Sequence, residues 1–462
     1  MLAEPKELLV FIITALLGGG AILALPLSRQ WAWLFLALGI PWASEILETT
    51  TFTLTLPTDI FAALGGLTIG TYFLLFPEAL LPLWKVPILR WVILYLAWMG
   101  ITTAFSTDVL VSMKFWLSQT AYFGAFGVGG YLWIKESERG KKYETLTYLL
   151  LLSAIGVMSL CIIEHIQLGA TRTTVNKSIH PFMREHTVYG AYAAWFFVLG
   201  IVLFVMQPNI LRGVAAVVAG TALFLSYSRG AWLTAIATLG IWAVIEVLRH
   251  LSAMMRFLLV ATGGLALLVG GLILISYNPD ILQLQARQQI GEAGGHLISS
   301  FDVKKNPSNM ERINRWFSAL QMIEERPIFG FGTNTFTQEY SAYQRSLTRT
   351  SISVEMGEVG GAHSEYLTAA SELGLPGLLL LLGIYGSTLY FGLRGLWRTH
   401  DASLRWRYAI LTLPLLSYYL HGFINNFMDH GHIAALVYLH WGMLAALQTE
   451  SVPSRYAEME RA

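Results

Sequence analysis

Apolar runs long enough to cross a bilayer, roughly 17 to 25 residues each, recur along the whole chain between short polar connections. They place spans near Leu8–Leu27, Trp31–Ala43, Asp59–Phe76, Ile88–Thr103, Val111–Ile134, Leu146–Leu168 and Val188–Met206. Further spans fall near Ile210–Leu225, Ala231–Leu248, Leu258–Ile275, Leu375–Phe391, Tyr408–His421 and Ala434–Leu447. The pattern predicts an all-α, polytopic bundle of about twelve or thirteen spans, the second being short for a bilayer.

One interval breaks the rhythm. From Tyr277 to Gly374 the chain is mostly polar, far longer than an ordinary connection, and a segment of that kind reads as functional. Residues 1–276 therefore form one set of membrane helices, 277–374 a long, partly helical loop, 375–448 a second set of membrane helices and 449–462 a tail. Within the loop, Ser308 and Glu311 read as a capping box. Ile313, Trp316, Phe317, Leu320 and Ile323 then recur at helical spacing until Pro327, which predicts an amphipathic helix on the membrane face or over the bundle. Gly330 and Gly332 mark a turn, and Thr333 to Tyr343 suits a second short helix. Gly360 and Gly361 precede a third, which opens near His363 and ends at Gly374, with Pro376 at the first turn of the next span.

Composition agrees: with 55% hydrophobic and 13% charged residues in 462, a water-soluble domain is excluded. The net charge of +1 says nothing about partners, and no nucleic acid is expected. The single cysteine, Cys161, rules out an internal disulfide. The amino-terminal run lacks a small-residue cleavage pattern and reads as a retained span. Charge does fix orientation. Lys135, Arg139, Lys141 and Lys142 crowd one connection, Arg249 and Arg256 flank another, and Arg394, Arg398, Arg405 and Arg407 fill a third, which makes those loops and the tail cytoplasmic. Alternation puts residues 169–187, 226–230, 277–374 and 425–432 on the external side.

The candidate chemistry lies in those external segments. Arg229, in Ser226-Tyr227-Ser228-Arg229-Gly230, either snorkels to the interface or faces a polar cavity and binds an anion; a basic residue kept among small ones on an external turn favours the second. Arg312 and Arg315 can supply planar forks of donors to phosphate, although Glu311 lies four residues before Arg315 and can pair with it. His363, beside a helix amino terminus, is favoured as the neutral imidazole that a general base requires; a lone histidine, from spacing alone, is more often structural. Between Gly169 and Thr187 stand Arg172, Lys177, His180, Arg184, Glu185 and His186, a basic set suited to an anionic ligand or simply solvated. Asp429, His430 and His432 with His186 could hold a metal, but their spacing is not diagnostic and no metal or other cofactor is expected. Glu45 and Glu48 read as sharing a helical, solvated face, and Glu164 with His165 as a buried hydrogen-bonded pair.

Taken in order, four motifs resemble the O-antigen ligase and polymerase superfamily, most closely its ligases: SYSRGAW at 226–232, Arg312 to Trp316 continuing to RPIFGFGTNTF at 326–336, AHSEYLTAASELGLPGLLLLL at 362–382, and INNFMDH at 424–430. The resemblance implies a GT-C-like glycosyltransferase of the bacterial inner membrane, working on its periplasmic face without a metal. It would take a glycan from undecaprenyl diphosphate to a lipid A core hydroxyl or another glycan. By resemblance, Arg229 and Arg312 bind the diphosphate and His363 takes or positions the acceptor proton, with Arg315, Glu365 and Asn426 as secondary candidates. The family's arginine in the loop before the seventh span is best matched in position by Lys177, with Arg184 nearby. Ser364 stands where relatives often carry asparagine.

The chemistry is coherent. A diphosphate on the lipid is a leaving group that needs no nucleotide sugar, arginines stabilise the charge growing on it, and a neutral histidine deprotonates the attacking hydroxyl. Rival readings keep the chemistry and change the acceptor (a polysaccharide polymerase or a protein O-oligosaccharyltransferase) or make the chain a lipid-linked glycan flippase or an assembly protein. A transporter, however, would place its polar groups at mid-membrane on broken helices.

Overall fold

The computed structural model describes residues 5–24, 35–36, 38–49, 52–135, 141–252, 254–255, 307–344 and 361–450. The predicted span Leu258–Ile275, the start of Trp31–Ala43, and residues 277–306 and 345–360 of the long loop lie outside them. The described chain is an all-α bundle with one small hairpin. Its first half comprises α1 (Pro5–Ala24), α2 (Thr58–Leu75), α3 (Leu80–Trp84), α4 (Pro87–Thr103), α5 (Val109–Tyr122), a π segment (Phe123–Val128), α6 (Gly129–Lys135) and α7 (Lys141–Gln167). Then follow α8 (Val175–Ile179), α9 (His186–Met206), α10 (Ile210–Leu225), α11 (Arg229–Arg249), α12 (Pro307–Glu325) and α13 (Phe336–Glu339). The chain closes with α14 (Glu365–Arg398), α15 (Ala402–His421) and α16 (Gly431–Glu450).

These helices begin where local chemistry supplies a partner for their first N–H groups. The Asp108 carboxylate accepts from Val111 N at 3.0 Å before α5, the Asn209 side chain from Arg212 N at 2.9 Å before α10, and Asp401 from Ser403 N at 2.7 Å before α15. Five described helices are long and apolar enough to cross a membrane, or six when the sharply bent pair Pro77–Trp84 and Pro87–Thr103 counts as one. Other predicted spans are helices too, but α10 is short, and α16 is buried on nearly every side, so protein rather than lipid surrounds it.

The basic connections gather at one end of the bundle. There Arg249 donates to Thr399 O at 2.9 Å and pairs with Glu246 at 3.5 Å, Arg405 reaches the same Glu246, and Arg407 reaches Glu450. The segments carrying the candidate chemistry meet at the opposite end.

Three local expectations are corrected, and between two alternatives for a fourth the structure chooses one. Glu45 and Glu48 lie on a strand, not a helix: β1 (Ser44–Thr49) pairs antiparallel with β2 (Phe52–Leu56), as the β-branched Thr-rich alternation of residues 49–56 favours. Glu164 pairs with Lys6 rather than with its neighbour, while His165 Nε2 lies 2.9 Å from Thr171 O; successive residues on a helix face different ways. The helix α12 opens at Pro307, so Ser308 falls inside its first turn instead of capping it. Finally, α12 turns Glu311, Arg315, Ser318, Ala319 and Met322 inward, whereas Phe317 and Leu320 of the predicted apolar stripe are exposed. In a membrane protein an outward apolar stripe has lipid to meet, which is the membrane-face alternative of the expectation.

The third loop helix and the next span form a single helical run interrupted at Gly374. That residue has φ 70° and ψ 179°, a conformation essentially reserved for glycine, and a Cβ there would lie 2.0 Å from Ile328 O. The break is filled by the loop: Leu375 N donates to Pro327 O at 2.8 Å, Phe331 N to Ser371 O at 3.0 Å and Gly332 N to Glu372 O at 2.9 Å. The Glu372 carboxylate accepts from Asn334 N at 2.8 Å and Phe336 N at 3.1 Å, and Trp98 Nε1 donates to Leu373 O at 2.8 Å. Much of the RPIFGFGTNTF and ELGLPG motifs is thus devoted to holding one another.

Candidate functional site

The turn between α10 and α11 is tightly built. Ser226 Oγ donates to Leu223 O at 2.7 Å, Ser228 N donates back to Ser226 Oγ at 3.2 Å, and Trp232 Nε1 satisfies Leu223 O at 2.6 Å. Tyr227 adopts φ 53°, and its hydroxyl donates to Ala170 O at 2.6 Å, tying the turn to the 169–187 loop. These contacts present Arg229, half-buried, as the first residue of α11. Gly230 follows because a Cβ there would lie 2.4 Å from Ile424 and 3.0 Å from His421 Nε2.

Opposite this turn stands α12. Arg315 is fully buried: its Nε donates to Glu311 at 2.9 Å, its Nη1 to Gly361 O at 2.8 Å, and its guanidinium stacks 4.6 Å over Tyr340. It is a structural tie rather than an open phosphate ligand, because all of those contacts are internal. Arg312, one turn earlier, is half-buried. Burial first, then the charges of Arg229 and Arg172, push its guanidinium below the usual arginine range, so the three cations lie in one another's field.

His363 sits at the edge of this cluster. It has φ 50°, rare for a residue other than glycine, and is fixed by the Arg315 bond to Gly361, by Trp316 Nε1 donating to His363 O at 3.4 Å, and by Ser364, which caps α14 by accepting from Leu367 N at 3.4 Å. Burial, then Arg315 and Arg312, pull the imidazole down to about 3, while a side-chain hydrogen bond with Asn425 opposes them. The ring is neutral at physiological pH, in line with the expectation, although burial and the arginines, rather than the helix dipole, hold it so.

Glu365 and Asn426 hold the 422–428 turn beside His363. The Glu365 carboxylate accepts from Tyr418 Oη at 2.7 Å, Phe427 N at 2.6 Å and Met428 N at 3.2 Å, and its own N–H donates to Gly422 O at 2.8 Å. Asn426 lies against Gly361, where a Cβ would meet its side chain at 2.7 Å.

The arrangement brings Arg229, Arg312 and His363 together and leaves two other candidates aside. Lys177 is exposed on α8. Arg184 pairs through Nε with the buried Glu45 at 2.9 Å. The loop cation that joins the cluster is Arg172, which also acts on His186. It was visible in the loop's basic set and is the one nearest the Gly169–Ala170 turn that Tyr227 grips; Asn425 lies in the INNFMDH motif but was not singled out, and His421 lies outside every motif. His430 Nδ1 lies 3.4 Å from Glu45 and its Nε2 3.7 Å from Asp429. Among the described residues, no group of three or more His, Cys, Asp or Glu is placed to hold a metal ion.

Chemically, three guanidinium groups lying in one another's field suit a multiply charged anion, and a neutral imidazole at the edge of the cluster can accept a proton. Residues 214–382 match the family model described as O-antigen ligase. No curated protein matches the chain. The matched stretch contains Arg229, Arg312, Arg315 and His363; Arg172 precedes it and Asn425 follows it. With the apolar helices, the match supports a multi-pass membrane protein of ligase or polymerase type, an enzyme class whose partners are lipid-linked glycans and their acceptors.

Proposed function

We propose that this O-antigen ligase-type membrane protein moves a glycan from undecaprenyl diphosphate to a lipid A core hydroxyl, on the periplasmic face of a bacterial inner membrane. In this reading residues 277–374 are the periplasmic segment, the helices before and after it are the membrane region, and the basic ends are cytoplasmic. The observation that carries it is the convergence of Arg172, Arg229 and Arg312 beside a neutral His363.

The donor diphosphate occupies the guanidinium cluster. Its charge replaces the mutual repulsion of the cations with attraction, and the forks of donors fit its oxygens. The acceptor hydroxyl approaches the anomeric carbon from the face opposite the diphosphate. As the acceptor C–O bond forms, the bond from the anomeric carbon to the diphosphate oxygen breaks; the diphosphate leaves on the lipid, the hydroxyl proton passes to a bare nitrogen of His363, and the anomeric centre inverts. The arginines act most strongly on the leaving oxygen, where negative charge grows in the transition state. By the family resemblance the reaction needs no metal.

The test is transfer by the purified protein in nanodiscs, from a polyprenyl-diphosphate oligosaccharide, with lipid A core or with donor alone, in the presence of a chelator. Glycosylated core supports the ligase reading. Lengthened donor chains make the protein a polymerase, and loss of transfer on chelation removes the metal-free mechanism.

A further inference from the structure

Thr171, Arg172 and Thr173 are all exposed, so burial does not set the position of Arg172. The backbone immediately before it does. The helix α7 is followed by two residues of left-handed conformation, Gly169 at φ 92° and Ala170 at φ 50°, which reverse the chain so that Ala170 N donates to His165 O at 2.7 Å. The next two carbonyl groups are each taken by a side chain. Tyr227 Oη donates to Ala170 O at 2.6 Å, and His165 Nε2 lies 2.9 Å from Thr171 O. A carbonyl oxygen can only accept, so His165 carries its proton on Nε2. The two donors stand against each other, with the rings of His165 and Tyr227 edge-on at 6.1 Å.

The turn at the other end of this contact is fixed as firmly. Tyr227 N donates to Phe224 O at 3.3 Å and Ser228 N to Ser226 Oγ at 3.2 Å, and Ser228 packs so closely on α9 that a Cβ on Gly190 would lie 2.4 Å from its own Cβ. Tyr227 itself has φ 53°. Glycine adopts that conformation without strain, so a tyrosine there points to work done by its side chain, and this side chain reaches 57 positions back to Ala170. Arg229 stands two residues beyond the donor of that hydrogen bond, and Arg172 two residues beyond its acceptor. Two residues of chain span at most about 7 Å, so one bond between Tyr227 and Ala170 limits how far the backbones of the two arginines can separate.

We propose that Tyr227 is a positioning residue for diphosphate binding: its hydroxyl clamps the 169–171 turn to the turn carrying Arg229, and so holds Arg172 and Arg229 at a spacing at which both reach one diphosphate. Like charges move apart when nothing holds their backbones, and cations fixed beforehand spare the ligand the cost of ordering them. This deepens the glycan-transfer reading and rests on it for the lipid diphosphate as ligand. The clamp itself rests on the hydrogen bonds.

The experiment uses the full chain in nanodiscs, as wild type, Tyr227→Phe, Arg172→Ala and Lys177→Ala, and with Tyr227→Phe combined with each of the other two. Phenylalanine keeps the ring against His165 and removes only the hydroxyl. Hydrogen–deuterium exchange over residues 168–175 reports the clamp without any ligand. Affinity for undecaprenyl diphosphate bearing no glycan reports the anion site without turnover, and donor KM and kcat report transfer. Tyr227→Phe is expected to speed exchange in that loop, to weaken binding of undecaprenyl diphosphate about three- to tenfold and to raise donor KM in proportion. A hydroxyl that acts through Arg172 has little left to do once Arg172 is gone. Tyr227→Phe should therefore weaken binding by less than about twofold in the Arg172→Ala background, and keep its full effect in the Lys177→Ala background.

Equal losses in the two backgrounds overturn the proposal, because a hydroxyl that merely stabilises the fold weakens binding whether or not Arg172 is present. Unchanged exchange over residues 168–175 in Tyr227→Phe overturns it too, as does an affinity within about twofold of wild type. If the coupling between Tyr227 and Arg172 appears in binding while wild type transfers no glycan, the positioning role stands and the transfer reading beneath it falls.

Discussion

Arg315 donates through Nη1 to the carbonyl oxygen of Gly361 at 2.8 Å, joining the helix that carries Arg312 to the residues leading into His363. The guanidinium is buried with Glu311, so neither partner can be removed cheaply. Arg315→Ala leaves Glu311 buried without its cation, and a loss of about 3–5 kcal/mol is expected. Thermal unfolding in nanodiscs checks this; a melting temperature equal to wild type would show that the tie is dispensable.

The three clustered arginines predict a pattern across the basic residues of the site. Alanine at 172, 229 or 312 should each reduce transfer, by about 100-fold for Arg229 and Arg312, and lysine should restore only part because it lacks the planar fork. Lys177→Ala and Arg184→Ala should leave donor KM close to wild type. Steady-state kinetics on all five positions decides it: a donor KM raised by Lys177→Ala and untouched by Arg172→Ala would return the loop role to Lys177.

His363, pulled down to about 3, is neutral throughout the physiological range. Transfer should therefore show no acid limb with a midpoint near the ordinary histidine value of 6.5, and His363→Ala should lower kcat by about 100- to 10,000-fold. The pH profile of kcat is the check. An acid limb centred near neutrality that disappears in His363→Gln would mean that the imidazole is charged in the resting enzyme.

Glu45, Arg184 and His430 predict a pH-dependent stability separate from catalysis. Burial alone would lower His430, but Asp429, Glu45 and Glu185 hold it up at about 9, above its usual 6.5. Its contribution to stability is full below about pH 6.5 and fades as pH rises toward 9, because over that window the folded state holds a proton that the unfolded state has released. Glu45 is the reverse case: burial raises it, yet His430, His432 and Arg184 keep it below 4.5, so its contribution is present above that value and is lost as pH falls beneath it. His430→Gln should flatten the alkaline side of a melting-temperature profile measured from pH 6 to pH 9.5; an unchanged slope would remove this cluster as its source.

How far the sequence could be read depended on the range of each interaction. The spans were legible because preference for hydrocarbon is a property of consecutive residues; Arg229 and His363 stood out as polar groups at the ends of apolar helices, and Arg312 as a cation beside the stripe of an amphipathic one. The break at Gly374 was equally local, announced by glycine and Pro376. Arg184 could not be set apart from Arg172, since what occupies it is Glu45, 139 positions away in the chain. Which way α12 faces was left open for a related reason: Glu311 and Arg315 neutralise one another and so can turn inward, while Phe317 and Leu320 stay outside. His421 and Asn425 stand four residues apart and meet locally, but nothing in the sequence joins them to the turn at Gly230, 191 positions before His421.

The break at Gly374 has a mechanical consequence. A bilayer that thickens or thins exerts torque on any helix matched to it. Beyond Gly374 α14 is such a lever, but the short arm before it, from Glu365 to Leu373, is clamped at one end by the 422–428 turn and at the other by residues 327–336 and Trp98. Tilting of the long arm is taken up at a joint with no regular helical geometry, and His363 at the tip of the short arm keeps its place as the lipid around the protein changes.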